Sequence, residues 1–177
     1  MPWRGFRIHV ILLSLVVGLS VFFGIRWIYN KFGTDVPLAE ALSVHKAVQS
    51  YTIDRKRPVV RVVIQLGPTA DLKETYRDLF ELVRSFLGNR PFELQIKDNR
   101  DDKLERAYYY AQFAVYEAIR LGNFREMVRF IEEEAAKEGA KATVSLDQEN
   151  VYIQLEDNDH YLYEIIPLRG PGAAAGS

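Results

Sequence analysis

Side chains able to do chemistry are few and scattered along this chain. Cysteine is absent, which excludes disulfides, thiolate zinc sites and a cysteine nucleophile. The three histidines, His9, His45 and His160, fall in an apolar run, a short helix and a turn, and no HExxH, GxSxG or GxxxxGKS/T pattern occurs. Gly67-Pro68-Thr69 stands where a strand gives way to a helix, a place where backbone N–H groups can meet an anion. The following Gly and Lys of a phosphate loop are missing, so a plain helix start is expected, with Thr69 as its cap. Two oxygen-rich loops, Asp98–Asp102 and Asp157–His160, carry the ligand type of a hard cation such as calcium. Neither has EF-hand spacing, and Asp and Asn at such places ordinarily make turns and caps. No catalytic, cofactor-binding or metal-ligating residue is assigned, and a hydrolase built on paired carboxylates ranks behind the non-enzymatic readings.

The most unusual stretch is Ala107 to Tyr116, AYYYAQFAVY, ten residues without a charge, five of them aromatic. On a helix, Leu104, Tyr108, Ala111, Val115 and Ile119 form one stripe, while Tyr109, Phe113 and Tyr116 form an adjoining one. A helix apolar over so much of its circumference is expected to be largely buried, between a sheet and a following helix over Asn123–Lys137. The alternative is that Tyr109, Phe113 and Tyr116 line a partner surface or an apolar ligand pocket, since Tyr combines broad contact area with a polar tip.

The elements that position these residues begin after an apolar leader. Ile8 to Ile25 contains no Lys, Arg, Asp or Glu. At ~1.5 Å per residue these eighteen residues span about 27 Å, close to the ~30 Å of a bilayer core. Trp3 and Phe6 flank it on one side and Trp27 and Tyr29 on the other, with Arg26 and Lys31 able to snorkel outward. The expected plan is a basic leader over 1–7, a transmembrane anchor over 8–29 that engages the lipid bilayer, a linker over 30–36, a soluble domain over 37–167 and a flexible tail over 168–177. A signal peptide cleaved near Gly18-Leu19-Ser20 is the weaker alternative, because the apolar run continues beyond that site. Arg4 and Arg7 balance Arg26 and Lys31, but a short basic leader ordinarily stays inside, so a single-pass protein of the cell membrane with an extracytoplasmic domain is expected. Ser14/Gly18 and Ser20/Gly24 have the spacing that permits close association of membrane helices.

Of the 177 residues, about 130 remain for one domain with a single core. The net charge of −1 provides no field for nucleic acid. Asp35-Val36-Pro37 suits a helix start, with the helix running to about Ala47. Val48–Ile53 and Pro58–Leu66 read as strands around the basic tip Asp54-Arg55-Lys56-Arg57, the second apolar enough to be covered on both faces. A helix from Thr69 to Gly88 follows, then a strand over Pro91–Lys97, then a helical hairpin over Asp102–Leu121 and Asn123–Lys137, with Asn123 and Glu126 placed for a capping box. Three strands close the domain, around Ala142–Leu146, Val151–Leu155 and Tyr161–Ile166. The predicted fold is mixed α+β of order α-β-β-α-β-α-α-β-β-β, a largely antiparallel sheet with helices on one face.

Two resemblances bear on this plan. LAEALSVHKAVQSYTI followed by PVVRVVIQL resembles the opening of membrane-tethered ring-building domains of sporulation and secretion machines, though the added helical hairpin departs from that pattern. PFELQIKDNRDDKLERAYY and HYLYEIIP are similar to an uncharacterised family of single-pass membrane proteins from spore-forming Gram-positive bacteria. The resemblances imply tethering and assembly, and carry over no catalytic residue. The expected function is a membrane-tethered, non-enzymatic interaction or assembly domain with a homo-oligomeric or other protein partner. The alternative is a membrane-anchored sensor or binding module for a small apolar ligand or a cation.

Overall fold

The structure, a computed structural model, describes residues 15–24 and 35–169. The expected leader, the two ends of the expected anchor, most of the linker and the end of the tail lie outside these residues. Two compact units divide the chain, Met1–Ala41 and Leu42–Ser177. In the first, residues 15–24 are helical (α1) and expose Leu15, Val17, Phe22 and Phe23 to solvent. Among the described residues no helix is long and apolar enough to cross a membrane. Helix α2 (Asp35–Val44) ends three residues before the expected stop at Ala47. The carbonyl of Ala47 is instead taken by the Gly67 N–H at 2.8 Å, where strand pairing begins.

The second unit has the predicted order of elements: β1 (Val48–Asp54), β2 (Val60–Leu66), α3 (Leu72–Leu87), β3 (Phe92–Lys97), α4 (Asp102–Leu121), α5 (Phe124–Lys137), β4 (Lys141–Leu146), β5 (Asn150–Asp157) and β6 (His160–Pro167). The expected single sheet is corrected to two sheets of three strands, β1-β2-β3 and β4-β5-β6. In the first, β1 runs antiparallel and β3 parallel to β2, as a strand–helix–strand crossover through α3 requires. The second is an antiparallel meander whose last hairpin turns at Asn158, with φ of 52°. One bridge, Asn99 to Tyr161, joins the sheets. Gln49 is an extra residue in β1, because Val48 pairs with Leu66 and Ser50 with Gln65.

The arrangement of helices also differs from expectation. Val151, Ile153 and Leu155 of β5 pack into one cluster with Leu104, Val115, Met127 and Ile131 of the helical hairpin. Tyr152 and Gln154, at the alternate positions, are buried on the opposite face of the strand, which an arrangement with helices on one face would leave uncovered. There the Tyr76 ring of α3 lies 5.9 Å from that of Tyr152, and the Leu72 N–H donates to Gln154 Oε1 at 3.1 Å. Helices therefore cover both faces of β5. Conversely β2, expected to be sealed on both sides, buries only Val60, Val62, Ile64 and Leu66 completely, while Arg61 on its other face reaches Glu93 at 3.1 Å.

The link between β2 and α3 is held by polar groups of the second sheet. Tyr161 and Tyr163, stacked with centroids 5.1 Å apart, donate hydroxyl hydrogen bonds to the carbonyls of Leu66 and Gly67. The Thr69 N–H donates to Tyr163 Oη, and Gln154 Nε2 donates to the Thr69 carbonyl at 2.7 Å. Thr69 is thus not the expected cap; Asp71 is, accepting from the Glu74 N–H. The capping box at α5 is likewise absent, since Asn123 spends its amide on the Glu126 and Glu117 carboxylates and makes no cap hydrogen bond.

Two outcomes follow from this network. Gln154→Ala removes partners from the buried Leu72 N–H and the Thr69 carbonyl together, and should cost about 1–3 kcal/mol in a denaturant melt of the full chain. Asp147 is the second case. Burial works to raise its pKa, but hydrogen bonds from the Asn150 and Glu149 N–H groups and from Tyr152 Oη outweigh it and lower the value. A depressed carboxyl pKa contributes stability above the unfolded value and loses it as pH falls. Wild type should therefore be more stable than Asp147→Asn at neutral pH, and the difference should begin to shrink as pH falls through the ordinary 3.8 and be lost only below the lowered folded-state value; a difference constant with pH would exclude this role for the charge.

Candidate functional site

Helix α4 begins where Asp101 accepts from the Leu104 N–H at 2.9 Å, and ends at Gly122, whose φ of 79° is the left-handed stop that permits an immediate turn into α5. One face, Leu104, Ala107, Ala111, Val115 and Ala118, is buried against the second sheet and α5. Three alanines on that face let α5 approach closely through Met127, Ile131 and Ala135. Arg106 adds a clamp, donating from Nε and Nη2 to Glu138 Oε2 at 3.2 and 2.8 Å.

At ~3.6 residues per turn, Tyr109, Phe113 and Tyr116 fall opposite this buried face. They are 57%, 61% and 58% exposed, and Tyr110 beside them is 54% exposed. The expectation of a largely buried helix is therefore corrected, since the expected cover is absent. Helix α5 lies against the alanine face, and no described element lies over the aromatic one. The exposed rings are ordered among themselves: Tyr109 meets Tyr110 edge-on at 5.3 Å and Phe113 edge-on at 5.9 Å. Exposed Tyr and Phe add no core and have lower helix propensity than Ala, Glu or Lys, so folding gives this face no reason to be aromatic. A contiguous apolar patch on a helix is the usual mark of a surface that meets something else.

Beside the stripe lies an open groove of about 570 Å³, lined by Arg100, Asp102, Glu105, Arg106, Tyr108, Tyr109 and Gln112. Its lining is mostly charged, which does not suit an apolar ligand. Nor are its arginines available to an anion, since Arg106 is engaged by Glu138, and Arg100 makes two bonds to the Asp98 carboxylate, at 2.9 and 2.7 Å, and a third to Glu164 at 3.0 Å. The hydrogen bond to Asp98 raises the Arg100 pKa further above its ordinary range. Burial raises the pKa of Glu164, partly offset by Arg100. Tyr108, expected in the core, is only half-buried at the groove wall; burial and the neighbouring Glu164 push its pKa up.

The two oxygen-rich loops meet, but as structural partners of each other. Asn99 Nδ2 donates to the Asp159 carbonyl, the Tyr161 N–H to the Asn99 carbonyl, and the Tyr163 N–H to Asp98 Oδ2. Asp101 caps α4, and Asp157 holds Lys103 at 3.1 Å. Among the described residues no group of three or more histidine and carboxylate side chains is placed to hold a metal ion. At Gly67-Pro68-Thr69 the Gly67 and Thr69 N–H groups are spent on Ala47 and Tyr163, so neither faces an anion.

Tyr109, Phe113 and Tyr116 thus come together as the sequence suggested, joined by Tyr110, which sequence reasoning left out. Its signal was its place in the unbroken Tyr108-Tyr109-Tyr110 run. Neither a protein-family model nor a curated protein matches the chain.

The geometry separates the tyrosines by stability. Leu104→Ala should cost about 2–5 kcal/mol, whereas Tyr109→Ala and Tyr116→Ala should stay within about 1 kcal/mol of wild type. Tyr108→Ala should fall between them. Denaturant midpoints of the four variants check this order, and severe loss at Tyr109 or Tyr116 would make the stripe part of the core.

Proposed function

We propose that this protein is a membrane-tethered, non-enzymatic interaction or assembly domain that meets a protein partner through the outer face of α4. The observation that carries the reading is the contiguous exposure of Tyr109, Tyr110, Phe113 and Tyr116 on a helix whose other face is firmly packed. Rigid aromatic side chains lose little entropy on binding and dominate interface energetics, so a braced helix presenting four of them suits recognition better than turnover. The charge-lined groove and the internally paired acidic loops give the apolar-ligand and cation alternatives less support.

Tethering is proposed through residues 8–29, with the domain outside the cytoplasm. The largely apolar sequence of 8–25, free of Lys, Arg, Asp and Glu, supports it, as do the apolar side chains that α1 turns outward, which water does not favour and lipid tails do. The proposed kinship with single-pass proteins of spore-forming Gram-positive bacteria rests on the segments quoted above.

Two measurements test the two halves of this proposal. The full chain should float with phosphatidylcholine vesicles in a density gradient, and a chain starting at residue 31 should not; equal behaviour would remove the anchor. A photo-crosslinking residue at Phe113 should yield a covalent adduct in intact cells, while the same residue at the exposed Glu132 of α5 should yield none. Adducts absent at Phe113, or equally abundant at both, would remove the interaction surface.

A further inference from the structure

The solvent face of α4 is not uniformly aromatic. At its N-terminal end stands Glu105 and at its C-terminal end Arg120, both exposed, with the rings between them. Neither has a hydrogen-bond or ion-pair partner among the described residues. With a rise of ~1.5 Å per residue they stand about 22 Å apart, far too distant to pair within one molecule. Their neighbours are engaged already: Arg106 with Glu138, Lys103 with Asp157, and Glu117 with Asn123.

The order along this face is symmetric about the Gln112–Phe113 peptide. Glu105 and Arg120 are equally far from that point, and so are Tyr109 and Tyr116. A second copy of α4 laid antiparallel across the first, with a two-fold axis at Gln112–Phe113, sets Glu105 against Arg120 of the second copy at both ends at once. It also sets Tyr109 against Tyr116 of the second copy, and brings the two Phe113 rings together near the axis. A parallel arrangement would oppose like charges at both ends. Antiparallel packing also sets the positive N-terminal end of each helix dipole beside the negative C-terminal end of the other. Such a contact is isologous and closes at two subunits.

The area is in keeping with this partner. A buried Phe or Tyr covers roughly 150–250 Å², so the three rings on this face, each a little over half exposed, offer about 350 Å² per protomer. With Gln112 and the two end charges, the pair approaches the lower range of specific interfaces, about 1,200 Å² in all. A dimer of modest affinity follows, one that a tether concentrating both copies in one membrane would strengthen.

We propose that the partner of the α4 face is a second copy of this chain, in an antiparallel two-fold pair held by the Tyr109–Tyr116 contacts and the two Glu105–Arg120 ion pairs. The inference rests on the interaction-domain reading above, and the following experiment separates the two. The full chain in a mild non-ionic detergent should sediment as a monomer–dimer equilibrium. Glu105→Arg or Arg120→Glu alone should weaken dimerisation roughly tenfold, by turning attraction into repulsion at both ends. The double variant Glu105→Arg with Arg120→Glu should restore it. Because the chain has no native cysteine, a mixture of Tyr109→Cys and Tyr116→Cys chains should form a mixed disulfide dimer under mild oxidation, in excess over either homodimer. Preferential Tyr109→Cys homodimers, or no rescue by the double variant, would overturn the antiparallel register while leaving self-association through this face. A chain that stays monomeric would overturn self-pairing, leaving the face to a different protein. Dimerisation indifferent both to the charge changes and to Tyr109→Ala with Tyr116→Ala would overturn self-pairing and the interaction reading together.

Discussion

The burial of both faces of β5 is the constraint on which the second unit depends. Val151, Ile153 and Leu155 hold the helical hairpin, while Tyr152 and Gln154 hold α3. A strand covered on both sides needs its polar side chains satisfied in place, which is why Gln154 bonds to the backbone on either side of the start of α3. The layering that results puts α4 and α5 outermost on their side. Each then needs only one apolar face for folding, and the opposite face of α4 is left to be determined by something other than the core.

Bracing of α4 matters as much as its exposure. The Asp101 cap, the Gly122 stop, the Arg106–Glu138 clamp and the alanine seam against α5 fix the helix at both ends and along its length. Ring pairs that are already ordered lose little freedom when covered. The same bracing leaves the groove at Arg100 without a free cation, because the Asp98 and Glu164 carboxylates that anchor the start of α4 have consumed it.

The order of elements was legible because each announces itself locally: the amphipathic period of α3, the alternation in Phe92–Lys97, and the glycines at 88, 122 and 139, all at positive φ. The division into two sheets was not, since it depends on how β3 and β6 diverge beyond Asn99 and Tyr161, a matter of long-range geometry that no local pattern encodes. The two-sided cover of β5 was hidden because Tyr152 and Gln154 are residue types that also serve on a wet face. The aromatic stripe shows the converse limit. Tyr109, Phe113 and Tyr116 were recognisable as a set from their spacing, but hydrophobicity alone could not tell a core face from a docking face. Only the position of α5, which turns back at Gly122 onto the alanine side, decides between them.

The extra residue at Gln49 has a consequence for the outer rim of the first sheet. β1 is the end strand there, and a flat end strand offers a continuous row of N–H and C=O groups on which a foreign chain can crystallise into cross-β structure. The bulge breaks that row near its start and increases the local twist, so an incoming strand loses register after a few residues. Contacts that grow without limit are thereby discouraged on this side of the molecule.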